Sequence, residues 1–214
     1  MSRDAILQAV RTAIGRKPFQ KPVAGPEPLL QIHNWTAADR LERFCTANAA
    51  LGVPVTLASS ASHARELVAA LIDGRSAIAS LATVLAECGI LGLAGVQAGF
   101  PDAEAHRHAC ASTPVGITSA WCLLAETGTI VLRSSPEEPR LLSLLPPVLI
   151  VVVSQSRLLE NMDEFFGLLP QPADSSSATV MITGSGRHEL HVILVGADDP
   201  TVAPCRTGQH REYS

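Results

Sequence analysis

The sequence predicts an α/β fold, a mostly parallel sheet flanked by helices and preceded by an N-terminal helical arm. Two observations carry that expectation. Through the first half of the 214 residues, helical and strand patterns alternate, the order in which successive strands lie parallel and the helices between them cover the sheet. In the second half, "VLIVVV" at 148–153 is apolar at every position, which marks a strand covered on both faces. Composition agrees: 47% of residues are hydrophobic and 17% charged, and the length is enough for one sizeable core or two small ones.

Taken in order, residues 1–16 place Ile6, Leu7, Val10 and Ile14 at helical spacing. Residues 17–31 are proline-rich and read as a linker or extended arm. A helix is expected from Thr36, a good N-cap, to about Leu51. "GVPVTLAS" reads as a strand, and "SASHARELVAALIDG" as a helix that starts near Ser60 or Ser62 and stops at Gly74. "SAIAS" is a further strand and "LATVLAECGI" a short helix. "GILGLAGVQAG" contains no G-x-G-x-x-G and reads as a loop. A helical segment is expected to begin at Gly116, with Thr118 as its cap and Ser119 to Leu124 as its body. Four strands follow, "GTIVLRS", "VLIVVVS", "ATVMITG" and "ELHVILVG", with an amphipathic helix "RLLENMDEFFGLL" between the second and third. "SSPEEPR" at 134–140 is a polar loop and "QPADSSSA" a flexible connection. The expected organisation is an arm over 1–31, one α/β domain over 32–200 and a tail over 201–214.

Several function classes are disfavoured at once. No uninterrupted apolar run reaches the roughly 18 residues a membrane helix needs. The longest candidate, Leu141 to Val153, is broken by Pro146 and Pro147. The first residues lack the apolar core of a signal peptide, so a cytoplasmic protein without membrane insertion is expected. A net charge of −4 argues against a nucleic-acid partner, and 4% aromatic residues against a base-stacking platform. The five cysteines, Cys45, Cys88, Cys110, Cys122 and Cys205, form no C-x-x-C pair. They read as reduced, buried thiols, not as ligands of a cluster or structural zinc.

The stretch "LLAETGTIVLRSS" sets a carboxylate, Glu126, beside Thr-Gly-Thr between two apolar runs. Burying such a charge unpaired is costly, so its place asks for a reason. Gly128 admits a backbone conformation closed to other residues, and two threonine hydroxyls flank it. The turn can hold Glu126 as base, nucleophile or ligand hook. The alternative is a helix-end glutamate capping local N–H groups, with Gly128 a plain turn residue. Gly184-Ser185-Gly186, after an apolar strand, can wrap an anion with backbone N–H groups, and Arg187 adds charge; a hairpin turn has the same look. His106 and His108 share the spacing of a strand face and lie near Glu104 and Cys110, but a polar surface segment is the preferred reading and no metal site is expected. His188 and His191, beside Glu189, are read the same way.

"VGIT", "AETGTIVL" and "RLLSLLPPVLIVVV", in that order, resemble the lactate utilization protein C family, also called the LUD domain family. The matching residues are Gly116 to Thr118, Ala125 to Thr129, and Arg140, Ser143, Leu145 and Pro146. The N-terminal helix and the pattern at 36–73 fit loosely, so the resemblance covers most of the chain. It implies a fold like that of the CoA transferases and ribose-phosphate isomerases. It also implies a part in oxidising L-lactate to pyruvate beside iron–sulfur partner proteins, with the clusters in those partners and no cofactor bound by this chain alone. By analogy with CoA transferases of that fold group, Glu126 is the expected catalytic group. Thr118, Thr127, Gly128, Thr129, Gly184, Ser185 and Arg187 are the residues expected around an anionic small molecule. A stand-alone enzyme or binding module for a CoA ester or sugar phosphate is the alternative. The chain departs from the family pattern at Trp121, where an acidic residue is often found. It departs again at 184–188, where two strands are joined almost directly instead of through a longer glycine-rich segment.

Overall fold

The computed structural model describes residues 3–13, 15, 34–168, 178–186 and 189–196. The chain divides into two compact units, Met1–Ile32 and His33–Ser214. The first contains helix α1 (Arg3–Ala13), whose Ile6, Leu7 and Val10 are exposed. The expected proline-rich arm and the C-terminal tail lie outside the described residues.

In the second unit, α2 (Ala37–Ala50) begins at Thr36 as expected. The Thr36 hydroxyl accepts from the Asp39 N–H at 3.2 Å, and the Asp39 carboxylate accepts from the Thr36 N–H at 2.9 Å. Then come β1 (Val55–Ala58), α3 (Ala61–Ile72), β2 (Ala77–Ala79), α4 (Thr83–Glu87), β3 (Val96–Gln97), α5 (Ala103–Ser112) and β4 (Val115–Thr118). β5 (Cys122–Leu124), β6 (Thr129–Arg133), β7 (Val148–Ser154), β8 (Leu158–Leu159), α6 (Met162–Leu168), β9 (Thr179–Ile182) and β10 (Glu189–Val195) complete the order.

Six strands form a parallel sheet in the order β1-β10-β7-β4-β2-β3. This is the mostly parallel α/β sheet that the sequence predicts. β7 shows why "VLIVVV" needs no polar alternation. Leu149, Val151 and Val153 pack into one core with Leu41, Phe44 and Cys45 of α2, while Val148, Ile150 and Val152 pack into another with Ala64, Val68 and Ile72 of α3. A second sheet, ordered β8-β5-β6-β9, lies on the α2 side through Leu123, Ile130 and Leu132. Within it β5, β6 and β9 run antiparallel and β8 joins β5 in parallel.

Four local expectations are corrected. The helical segment expected from Gly116 to Leu124 is two strands: β4 is buried along its whole length between β2 and β7, and β5 starts the second sheet. Packing from both sides overrides a weak local pattern, and Gly116 makes it possible. A Cβ there would come within 2.8 Å of the Leu142 carbonyl oxygen, so only glycine lets the 140–143 turn close onto β4. The helix expected over "RLLENMDEFFGLL" starts only at Met162, because Leu158 and Leu159 are taken by β8 and Asn161 Oδ1 accepts the Asp163 and Glu164 N–H groups, acting as the cap. Residues 89–99, read as a loop, include β3, which pairs in parallel with β2; residues 103–112, where a polar surface segment is the preferred reading, form a helix capped by Asp102.

Candidate functional site

The order of the main sheet contains one reversal among the described strands. From β2 the chain leads outward to β3, whereas from β4 it leads the other way to β7. In an open α/β sheet, the crevice outside the carboxyl ends of two such strands is where ligands bind. There the structure has a cleft of about 810 Å³. Thr118 at the end of β4, Ser119 just after it and Ser154 at the end of β7 line it. The second sheet supplies Trp121 and Arg133, and loops supply Arg140 and Arg157.

Glu87, Glu137 and Glu138 line the cleft, and of these Glu138 is the half-buried one. Its loop is braced by Ser135, whose hydroxyl accepts the N–H groups of Glu137 and Glu138 at 3.2 and 3.1 Å. The Glu137 carbonyl accepts the Leu81 N–H at 2.8 Å, tying the loop to the end of β2. So held, the Glu138 carboxylate accepts the Thr118 hydroxyl at 2.6 Å. Burial raises the Glu138 pKa above the usual carboxylate value; the Thr118 and Ser80 hydroxyls and the Ser119 backbone oppose this, and Glu137 adds repulsion. Ser80 Oγ lies close enough to favour the charged form, yet makes no hydrogen bond of good geometry. A half-buried acid with a raised pKa at a switch point is a group suited to proton exchange.

Three arginines, Arg133, Arg140 and Arg157, line the same cleft as the three glutamates. The Arg133 guanidinium lies over the Trp121 ring, 4.9 Å from its centroid, and Trp121 meets Phe165 edge-on at 5.6 Å. So Trp121, where the family pattern often has an acid, seats a cation instead. Arg140 and Arg157 make no side-chain hydrogen bond or ion pair to any described residue, and both line the cleft. Three guanidinium groups and a set of hydroxyls can hold an anion.

Of the residues expected around a ligand, Thr118 lines this cleft, as do Arg140 and Ser143 of the family motifs and Trp121. The other described ones lie elsewhere. Glu126 is exposed, and its N–H donates to the Glu160 carbonyl. Gly128 has φ of 69°, and a Cβ on it would sit 2.8 Å from Asn48 Nδ2. That amide donates to the Gly128 carbonyl at 3.2 Å and the Phe44 carbonyl at 3.0 Å, so the Thr-Gly-Thr turn is clasped against α2. The Thr127, Thr129 and Thr183 hydroxyls form a chain at 2.7 and 2.8 Å, and Gly184 packs on Leu51. Ser185 follows, half-buried; Arg187 and His188 lie outside the described residues. The cleft meets β6 at Arg133, and the turn precedes Thr129, so a strand of about 13 Å separates them.

The residue that sequence reasoning missed is Glu138, read only as part of a polar loop. The available signal was a Glu-Glu pair pinned between Pro136 and Pro139. His106 sits one turn before Cys110 with Nε2 at 3.3 Å from Sγ, and His191 pairs with Glu189 at 2.9 Å. Among the described residues no three His, Cys, Asp or Glu side chains are placed to hold a metal ion, and no helix is long and apolar enough to cross a membrane.

A parallel α/β domain with a polar, arginine-lined crevice at its switch point has the architecture of a small-molecule-binding protein. This chain belongs to the LUD domain family, whose model matches residues 41–200. A DUF162 family protein from Deinococcus radiodurans shares the fold, with a TM-score of 0.64 at 20% identity over 76% of this chain and 99% of that one. An uncharacterised protein of Neisseria meningitidis serogroup B is 51% identical over 43 residues, a segment that spans 20% of this chain and 18% of that protein. The family resemblance read from the motifs is thereby established.

Proposed function

We propose that the crevice between β2 and β4 binds an anionic small molecule. On this reading the chain serves lactate utilisation, the process its family is associated with, as a cytoplasmic component acting beside iron–sulfur proteins in the oxidation of L-lactate to pyruvate. The observation that carries the reading is the cleft itself, with one half-buried carboxylate among three guanidinium groups. Arg140 and Arg157 hold the anion, Arg133 is pre-positioned on Trp121, and Thr118 orients Glu138 for proton exchange. Clusters in the partners would take the electrons; this chain supplies binding and a proton site.

A second reading has an observation of its own. About 810 Å³ is near the upper end for ligand pockets and far more than lactate fills, so a larger anion such as a CoA ester or sugar phosphate suits the cleft. Glu126 remains the rival carboxylate, with Thr127, Gly128, Thr129, Gly184, Ser185 and Arg187 as its proposed surroundings.

The test is lactate-dependent dye reduction by the iron–sulfur partners, with and without this protein. Glu138→Gln is expected to lower the rate at least tenfold and Arg140→Ala to raise the lactate concentration needed, while Glu126→Gln stays near wild type. The reverse order of the two glutamates moves the site to the Thr-Gly-Thr turn. Partners that run equally well without the chain remove the lactate role, and turnover of CoA esters or sugar phosphates by the pure protein then decides the second reading.

A further inference from the structure

Glu138 is held over the ends of two neighbouring strands, and each end presents a hydroxyl to it. We propose that Ser80 is a positioning residue of the cleft: with Thr118 it forms a two-hydroxyl seat that keeps the Glu138 carboxyl in one place whether or not it carries its proton. The proposal rests on the reading of Glu138 as the proton-exchanging group and adds what lets that exchange occur without moving the loop.

The strands themselves build the seat. β2 and β4 pair in parallel with Ala79 opposite Ile117, and the Ser80 N–H donates to the Ile117 carbonyl at 2.9 Å, so the ladder carries Ser80 to a place beside Thr118. Side chains alternate along a strand. Ala77, Ala79, Val115 and Ile117 pack into the core on the α3 side and Ile78 into the core on the α2 side, which leaves Ser80 and Thr118 facing the side of the second sheet. The loop that carries Glu138 is tied down at the next residue, where the Leu81 N–H donates to the Glu137 carbonyl at 2.8 Å. The Glu138 carboxylate therefore rests on the pair. It accepts the Thr118 hydroxyl at 2.6 Å, and the Ser80 hydroxyl and the Ser119 backbone favour its charged form. Ser80 is 2% exposed and Thr118 5%, so water cannot stand in for either.

Hydroxyls suit this task better than a cation. An arginine or lysine only donates and would fix the carboxylate in its charged form, whereas a hydroxyl donates to a carboxylate and accepts from a carboxylic acid. The charges nearby do not take over the role. Glu137 on the same loop, Glu87 of α4, and Arg133, Arg140 and Arg157 line the cleft, and Asp102 and His106 at α5 face the other side of the loop. Of these, Glu137 is the charge that acts on Glu138, and it repels.

The experiment follows the Glu138 side-chain carboxyl carbon by NMR through a pH titration of the full chain, with Glu138→Gln to identify the signal. Ser80→Ala is expected to raise the proton affinity of Glu138 roughly threefold to tenfold, the worth of one ordinary hydrogen bond. Ser80→Cys, close in size and a weaker donor, is expected to act in the same direction by less, and it gives the reading if the alanine variant does not fold. Thr118→Ser keeps the hydroxyl and is expected to titrate near wild type; Thr118→Val is expected to shift as Ser80→Ala does. In wild type the Leu81 N–H is expected to show the same protection from solvent exchange on both sides of the Glu138 midpoint. The proposal is overturned if the folded Ser80 variant titrates like wild type, if Thr118→Ser shifts as far as Thr118→Val, or if the Leu81 protection is lost on one side of the midpoint. Lactate-dependent dye reduction is then followed across pH. A rate profile that shifts with the Glu138 titration in the Ser80 variant supports the seat and the role of Glu138 together. A titration that shifts while the profile stays supports the seat and overturns Glu138 as the proton group of the reaction.

Discussion

Glu138 holds its position through single contacts, and those contacts set its chemistry. Because burial raises its pKa in the folded protein, the native state keeps the proton to higher pH than the unfolded chain does. The sign follows: between the ordinary carboxylate value and the raised one, the folded state binds more protons, so stability contributed at this position falls as pH rises. Glu138→Gln removes that loss. The variant is expected to gain in thermal midpoint relative to wild type on going from pH 4 to pH 8, measured by calorimetry in matched buffers. A difference that stays flat, or narrows, with rising pH would show that the carboxylate is not held in a desolvated place. Gly128 teaches the opposite lesson. It belongs to the family's most recognisable motif, yet its positive φ and the close approach of Asn48 account for it as a turn docked on α2.

Among the elements, α2 joins the two sheets. Its Arg40 reaches across to the β8–α6 junction, where Nη1 donates to the Leu158 carbonyl at 3.2 Å and meets Glu164 at 3.1 Å, and Nη2 lies 3.6 Å from Glu160. Glu160 is 8% exposed and Arg40 24%, so the cluster is only partly screened by water. Arg40→Ala is expected to cost about 1–3 kcal/mol, below the full figure for a buried pair because the arginine touches solvent. Urea denaturation measures it. Adding Glu160→Gln should recover part of the loss, since it removes the charge left poorly matched; no recovery would mean that the arginine acts through packing instead. α5 illustrates how a helix hides from inspection. Its two histidines suggested strand spacing, but the Asp102 cap and the one-turn contact of His106 with Cys110 belong to a helix.

The whole molecule makes the cleft, because no single layer contains it. Thr118 and Ser154 come from the parallel sheet, Trp121 and Arg133 from the second sheet, and Glu138, Arg140 and Arg157 from loops between them. An anion bound there should therefore stabilise the His33–Ser214 unit as one cooperative body. Phosphate at a hundred times its dissociation constant is expected to add about 2.7 kcal/mol. For a unit of this size that is roughly 5–10 °C in midpoint. An unmoved midpoint, or two transitions of which one shifts, would contradict a site shared by both sheets.

Local pattern was sufficient where one residue type serves one geometry. Thr36 caps α2, Ser60 caps α3, and the unbroken apolar run of β7 announces a strand with a core on each face. The family was legible as well, since its motifs combine a turn glycine, a close-approach glycine and a proline-ended loop in fixed order. Packing decided the rest. Four residues containing a glycine cannot choose between helix and strand alone; β4 is a strand because β2 and β7 take its hydrogen bonds from both sides. The site escaped inspection for a related reason. Glu138 lies in a loop with no periodicity, its partner Thr118 is twenty residues away, and the arginines around them come from three separate segments. Only the crossing of the chain at the switch point brings those charges together, and that crossing is a property of the sheet.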